Sequence, residues 1–292
     1  MDLIIYNSPL IYLVPIFSLL IILILFGFRN HYKFILGAPV KEIRKIHTKP
    51  IIKIGGISLI SICLYLFFIK NTTIINSILF SLCFLTLGTV ADLNKYFNSK
   101  LRFVIMLIIL IIFILSNNFF LHDLDHELLN NIFLFSPISS FLFILFALMF
   151  IINGFNFIDG NNGLLLGVTL LILFNFAYYT NAFNSEIYNY ILCIGLAVSV
   201  LFIINFLSGN IICGDGGAYY LGFLVGTLSV ILSNYDIIYA TKVACIIFYP
   251  VFELFFTFWR RIFFEKSSPF EPDDLHLHSL FYKILIKLVL EH

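Results

Sequence analysis

Charge is what this sequence has least of. Asp, Glu, Lys and Arg together make up 11% of its 292 residues, against roughly 25% in a soluble domain. With 61% of residues hydrophobic and a mean hydropathy of +1.04, there is too little polar side chain to keep a folded surface in water. A soluble globular protein is excluded, and the chain belongs in a bilayer. Cysteine is scarce too. Cys63, Cys83, Cys193, Cys213 and Cys245 have no CxxC or paired spacing, which argues against a disulfide framework or a zinc cluster. Four lie in apolar runs and Cys213 in a short loop, so all five are expected to be free, buried thiols. Basic residues are missing from the start of the chain, where only Asp2 precedes the first apolar run, and no cleaved signal peptide is expected. Internal repeats and low-complexity linkers are absent. Residues 1–292 read as one integral membrane domain.

What is there is apolar and periodic in length. Nine runs, each near the ~20 residues that cross a hydrocarbon core as helix, centre on 9–28, 54–70, 74–90, 103–121, 134–152, 164–180, 188–207, 218–234 and 237–258. The segment LFYKILIKLVLEH after Ser279 is shorter and reads as interfacial, with Lys283 and Lys287 on its polar side. The expected fold is therefore all-α, a polytopic bundle of about nine or ten transmembrane helices. Basic residues orient it. Seven lie in 29–53 (Arg29, Lys33, Lys41, Arg44, Lys45, Lys49, Lys53), three in 91–102 (Lys95, Lys100, Arg102) and five from 259 onward (Arg260, Arg261, Lys266, Lys283, Lys287), which is 15 of 17. Nine alternating spans put all three regions on one side, which the positive-inside rule makes cytoplasmic. Span parity adds two loops without basic residues, 153–163 and 208–217, to the same side.

Nearly all the unusual polar residues fall in those five loops. In VKEIRKIHTKPIIKIGG (40–56), cations such as Lys49, together with His47, would attract a lipid phosphate or a phosphorylated substrate, and Gly55–Gly56 would let backbone approach a ligand. The plainer alternative is a topology signal. In GTVADLNKYFNSKLR (88–102), Asp92 sits where a helix meets the cytoplasm. The alternatives there are a functional carboxylate and an ordinary residue of the last helical turn. In NGFNFIDGNNG (153–163), Asn153, Asn156 and Asp159 recur every third residue, which puts amides and a carboxylate on one helical face. That suits a nucleobase, a sugar or a hydrated cation, with an Asx/Gly turn as the alternative. In GDGGAYYLGF (214–223), Gly214 and Asp215 open a helix. An exposed carboxylate beside free N–H groups suits a metal-bound diphosphate, and the alternative is a helix cap. In WRRIFFEKSSPFEPDDLHLHSL (259–280), Arg260 and Arg261 could grip phosphate. His276 and His278, with Asp273 and Asp274 nearby, suit phosphate contact better than zinc.

These segments resemble a known family. RKIHTKPIIKIGG, NGFNFIDGNNGLLLG, GDGGAYYLGF and the late paired-arginine, His-x-His loop come in the order and register of the polyprenyl-phosphate N-acetylhexosamine-1-phosphate transferases, the MraY/WecA-like enzymes. The resemblance covers about residues 40 to 280. It implies a cytoplasmic active site in a bacterial inner (plasma) membrane. There the phosphate of undecaprenyl phosphate attacks the β-phosphorus of a UDP-N-acetylhexosamine, and UMP leaves. It implies Mg²⁺, with Mn²⁺ as an alternative, and Asp215 as the metal-binding residue. Asp159, with Asn153 and Asn156, matches the nucleotide-sugar segment, and Asp92 matches the second acid of an Asp-Asp pair that places the lipid phosphate. His47, Lys49, Gly214, Arg260, Arg261, His276 and His278 fall at substrate-binding positions. Membrane lipids are expected partners and a homodimer is an open arrangement; no nucleic-acid partner is expected.

Two departures stand out. The first acid of the pair is Ala91 here. A lipid phosphate is already largely ionised near neutral pH, and phosphoryl transfer is carried mainly by positioning and charge neutralisation, so activity without that carboxylate, by direct displacement, is expected. The late loop ends His-Leu-His-Ser and lacks a triple histidine, which points to the initiating step of a surface polysaccharide rather than to a peptidoglycan donor. A transporter would carry its polar groups near the bilayer midplane, whereas here only Lys242 and Glu253 depart from the span ends of one face. A catalytically degraded scaffold of the same family is the other rival. Which hexosamine is used is left open.

Overall fold

The computed structural model describes residues 9–28, 52–94, 96–121, 124–127, 130–131, 136–181 and 185–265. Helices account for the architecture. They are α1 (Leu13–Phe28), a 3₁₀ helix (Gly55–Phe67), α2 (Thr72–Leu93), α3 (Ser99–Asn117), α4 (Pro137–Ile158), α5 (Leu164–Thr180), α6 (Ser185–Ser208), α7 (Gly214–Asn234), α8 (Ala240–Ile246) and α9 (Phe248–Arg260). Local chemistry starts several of them. The side chain of Asn71 accepts from the N–H groups of Thr73 and Ile74 at the head of α2, and Asn98 accepts from Lys100 at the head of α3. Pro137 occupies the first turn of α4, where its missing N–H costs nothing.

Among the described residues five helices, α2, α3, α4, α6 and α7, are long and apolar enough to cross a membrane. The chain is a polytopic membrane helix bundle, with apolar side chains such as Phe174 and Leu207 on its outer surface. The other four expected spans are realised differently. α1 and α5 are shorter apolar helices of 16 and 17 residues. The span expected at 54–70 has only 13 helical residues. As a 3₁₀ helix, with its ~2.0 Å rise per residue, it still extends ~26 Å. The span expected at 237–258 is not continuous. It breaks at Ile247 into α8 and α9, bent by 74°. Pro250 explains the break, because it can neither donate to nor sterically pass the carbonyl of Ile246 four residues earlier, where α8 stops. The segment after Ser279 lies outside the described residues.

α7 is the axis of the bundle. Of its membrane-length window 94% is buried, against 22–44% in the other four long helices. It packs chiefly between α2 and α4. Gly222 makes this approach feasible, since a side chain there would press on the Ile152 backbone of α4. Phe223 stacks on Phe84 of α2 at 4.6 Å and meets Phe113 of α3 edge-on at 4.8 Å. Deeper in the bundle the Ser77 hydroxyl bonds to both Tyr190 and Thr227, at 3.1 and 3.0 Å. The thiols are free, but only Cys193 and Cys213 are buried. Cys63 is half-buried, and Cys83 and Cys245 face outward from α2 and α8, where an apolar outer surface tolerates them as small hydrophobes.

Candidate active site

The N-terminus of α7 is where the polar segments meet. Two short extended stretches build its floor. Ile52 donates to the Asn210 carbonyl (3.0 Å) and Ile212 donates back to Ile52 (2.9 Å), forming an isolated parallel bridge. Gly55 and Gly56 continue the pairing, donating to Ile212 and Cys213 at 3.0 and 2.9 Å. Their N–H groups are therefore spent on backbone, which corrects the expectation that they approach a ligand. Asn205, buried at the end of α6, ties in the neighbouring loop. Its Oδ1 accepts from the Gly163 N–H at 2.5 Å and its Nδ2 donates to the Ile211 carbonyl at 2.6 Å. Gly214 then turns the chain into α7 with φ +74°, its α-carbon facing the Lys53 carbonyl and the Asp92 carboxylate. Only glycine has both the conformation and the room.

Three carboxylates from three helices converge there. Asp159, the residue that ends α4, accepts from the Gly214 N–H at 2.9 Å through Oδ2. Asp92, in the last turn of α2, accepts from the Gly216 N–H at 3.2 Å. Asp215 lies between these in the first turn of α7. Two of the orphan N–H groups of α7 are thus capped by acids from other helices, in keeping with the positive end of its dipole. Arg102 of α3 donates from Nη1 to Asp215 Oδ2 at 2.6 Å and reaches the Tyr219 hydroxyl at 3.4 Å. The Asn156 amide donates to that same hydroxyl at 3.5 Å. Lys53 lies within electrostatic range of Asp215. Burial, reinforced by the neighbouring Asp215 charge, pushes Asp159 up to about 7 despite the Gly214 hydrogen bond.

Among the described residues Arg102 and Lys53 are the cations that act on Asp215, and two substrates bearing phosphate would bring more negative charge to the site. Among the described residues no three His, Cys, Asp or Glu side chains form a closed metal cage. Mg²⁺ does not require one, because it is usually held by one or two carboxylates together with substrate phosphates and water. The all-oxygen donors of Asp159 and Asp215 fit such a shared ion.

Of the residues singled out from sequence, Asp92, Asp159, Asp215, Gly214 and Asn156 are gathered here. Asn153 is not tied to them by its amide, which donates to Met149 of its own helix at 2.8 Å. Arg260 is the last residue of α9, and Arg261, buried, follows it as the cap. Phe258 of α9 packs edge-on against Phe157 of α4 at 6.3 Å, which brings these two helices together near their C-terminal ends. His47, Lys49, His276 and His278 lie outside the described residues. The sequence reading missed Arg102, Lys53, Tyr219 and Asn205. Lys53 was grouped with the cations of 40–56 without being singled out, and Arg102 was counted only as an orientation signal, although it lies in the first turn of a helix directly after the Asp92 loop. Tyr219 lies one helical turn beyond Asp215, a spacing that could have marked it.

Comparison with known proteins places the chain in a family. Over 146 residues the chain is 30% identical to the undecaprenyl-phosphate alpha-N-acetylglucosaminyl 1-phosphate transferase of Thermotoga maritima, which is 47% of this chain and 42% of that protein. The match thus spans less than half of that relative's length. The model for glycosyl transferase family 4 matches residues 74–233, a stretch that runs from α2 to the end of α7 and holds all three carboxylates. The chain belongs to glycosyl transferase family 4.

Proposed function

We propose that the protein transfers an N-acetylhexosamine-1-phosphate from a UDP-sugar to undecaprenyl phosphate, releasing UMP, at the inner (cytoplasmic) face of a bacterial plasma membrane. The observation that carries this reading is the convergence of Asp92, Asp159 and Asp215 on the N-terminus of α7, at one end of a membrane helix bundle of this family. A site at the end of a bundle can receive a soluble nucleotide from water and a polyprenyl phosphate from the lipid. The Thermotoga relative bears the name of such a transferase. The product would initiate a surface polysaccharide.

The reaction is a direct displacement at phosphorus. An oxygen of the lipid phosphate bonds to the β-phosphorus of the nucleotide sugar, the bond from that phosphorus to the bridging oxygen breaks, and UMP departs with the oxygen and its electron pair. Asp215 and Asp159 would hold Mg²⁺, or Mn²⁺ in its place. The ion supplies charge neutralisation at the phosphates. Asp92 keeps the α7 turn in place through Gly216 and helps to position the lipid phosphate. No proton need be removed from an ionised phosphate, so Ala91 does not disable the site. Asn156 and Tyr219 offer donors for a polar head group. His47, Lys49, Arg260, Arg261, His276 and His278 would add contacts to the phosphates and the sugar.

The test is to incubate purified protein with undecaprenyl phosphate, Mg²⁺ and a panel of UDP-N-acetylhexosamines. UMP and a lipid-linked sugar are expected with at least one donor, and with Asp159→Asn or Asp215→Asn both products are expected to disappear. A transporter would move nucleotide across vesicles without releasing UMP, and a degraded scaffold would do neither. Either result would overturn the reading.

A further inference from the structure

Arg102 is oddly placed for a mere orientation signal. It lies in the first turn of α3, its backbone N–H bonded to Asn98, and its side chain turns into the site. Nη1 is committed to Asp215 Oδ2 and to the Tyr219 hydroxyl. Nε is buried and has no hydrogen-bond partner among the described residues. A buried guanidinium donor left unpaired is costly, and so it marks where an acceptor is missing. The oxygen that Arg102 occupies belongs to Asp215, the residue a divalent cation would need. A guanidinium and a divalent ion on one carboxylate repel each other, and a guanidinium has a better match in phosphate, which its planar fork can meet with two N–H groups at once.

We propose that Arg102 is an exchangeable counter-ion. In the empty site it neutralises Asp215. When the metal and nucleotide arrive it releases that carboxylate to the ion and turns its N–H groups, Nε–H included, to a phosphate oxygen of the nucleotide. Tyr219, held on the other side by Asn156, is the pivot that keeps the guanidinium within reach of both partners. Metal alone therefore binds against competition from Arg102, and metal and nucleotide bind cooperatively. The inference rests on the proposed reading that this site takes a divalent cation and a nucleotide diphosphate.

The experiment is equilibrium binding, without turnover. Mn²⁺ binding is followed by electron paramagnetic resonance, and UMP binding in the presence of Mn²⁺ by calorimetry, on the purified full chain. Wild type is compared with Arg102→Ala, Arg102→Lys and Tyr219→Phe, each checked for folding by size exclusion and thermal melting. In Arg102→Ala, Mn²⁺ alone is expected to bind tighter by roughly an order of magnitude, and UMP weaker by a similar factor, as one charge-assisted hydrogen bond moves from one side of the exchange to the other. Arg102→Lys keeps the charge but not the fork. Mn²⁺ affinity is expected to stay near wild type while UMP affinity falls, and this variant decides the matter if the alanine variant does not fold. Tyr219→Phe is expected to weaken the cooperativity between Mn²⁺ and UMP. If Arg102 were only structural, folded variants would bind Mn²⁺ equally or more weakly. Such a result, in a wild-type protein that binds Mn²⁺ and releases UMP, overturns the exchange and leaves the transferase reading intact. A wild type that neither binds Mn²⁺ nor releases UMP overturns both.

Discussion

Replacing Asn205 by leucine should unlock the active-site floor while leaving the bundle standing. Leucine is close to asparagine in shape but can neither accept from Gly163 nor donate to Ile211, bonds of 2.5 and 2.6 Å in the wild type. Asn205 is buried, so neither backbone group gains water when its partner is lost. Each stranded group costs about 1–3 kcal/mol, or about 2–6 kcal/mol together. The cost falls on the 159–163 and 210–214 loops rather than on the helices, so it appears as local opening. At about 1.4 kcal/mol per factor of ten, the open fraction rises at least about thirtyfold. Cys213 reports it directly, because it is 1% exposed in the closed loop. In a background where Cys63, Cys83, Cys193 and Cys245 are replaced by alanine, the rate of maleimide labelling of Cys213 should rise by that factor, since labelling tracks the open population when reclosing is fast. Asn175→Leu is the control, because Asn175 is exposed and bonds only along its own helix, to Leu171. It should leave labelling unchanged. A folded Asn205→Leu protein whose Cys213 labels within twofold of the background would refute the assignment of Asn205 as the tie between the two loops.

Other perturbations probe other parts of the site. Gly214→Ala should cost about 2–5 kcal/mol, from the positive φ and from collision with the Lys53 carbonyl, and thermal melting in detergent should show it as a large drop. Asp159 holds a proton in the folded, metal-free protein up to about pH 7 that the unfolded chain loses near pH 4. Metal-free stability should therefore fall as pH rises between those values; Asp159→Asn should flatten the profile, and an unchanged slope would count against the burial of this carboxylate. Ala91→Asp restores the first acid of the family's pair. Under direct displacement it should alter the rate of UMP release by no more than severalfold, whereas a gain of about a thousandfold, the upper range of general-base assistance, would mean that a missing base limits the wild type.

The fold was largely open to reading because membrane length leaves a strong imprint. All nine apolar runs became helical segments, and basic residues together with span parity put Asp92, Asp159 and Asp215 at one end. The deviations are local in origin. The break before α9 follows from Pro250, which acts four residues upstream, inside a run whose length reads as one span. The 3₁₀ geometry of Gly55–Phe67 has no periodic signature in a run that is apolar on every side. Gly55 and Gly56 looked like a ligand cradle because close approach of backbone by backbone requires the same residue type. Arg102 was hidden by its other use, since a cation that orients a helix and a cation that faces a carboxylate look identical in sequence. Asn205 sat unremarked within an apolar run, where a single amide gives no spacing to read.

The most direct measurement follows the phosphorus. UDP-N-acetylglucosamine labelled with ³²P at the β-position is incubated with the purified protein, Mg²⁺ and undecaprenyl phosphate, and each other hexosamine in turn if the first is inert. Transfer of a sugar-1-phosphate carries the label into the organic phase while unlabelled UMP stays in water. Label remaining in the aqueous phase as UDP or phosphate while sugar moves to lipid, or no transfer from any donor, would contradict the account.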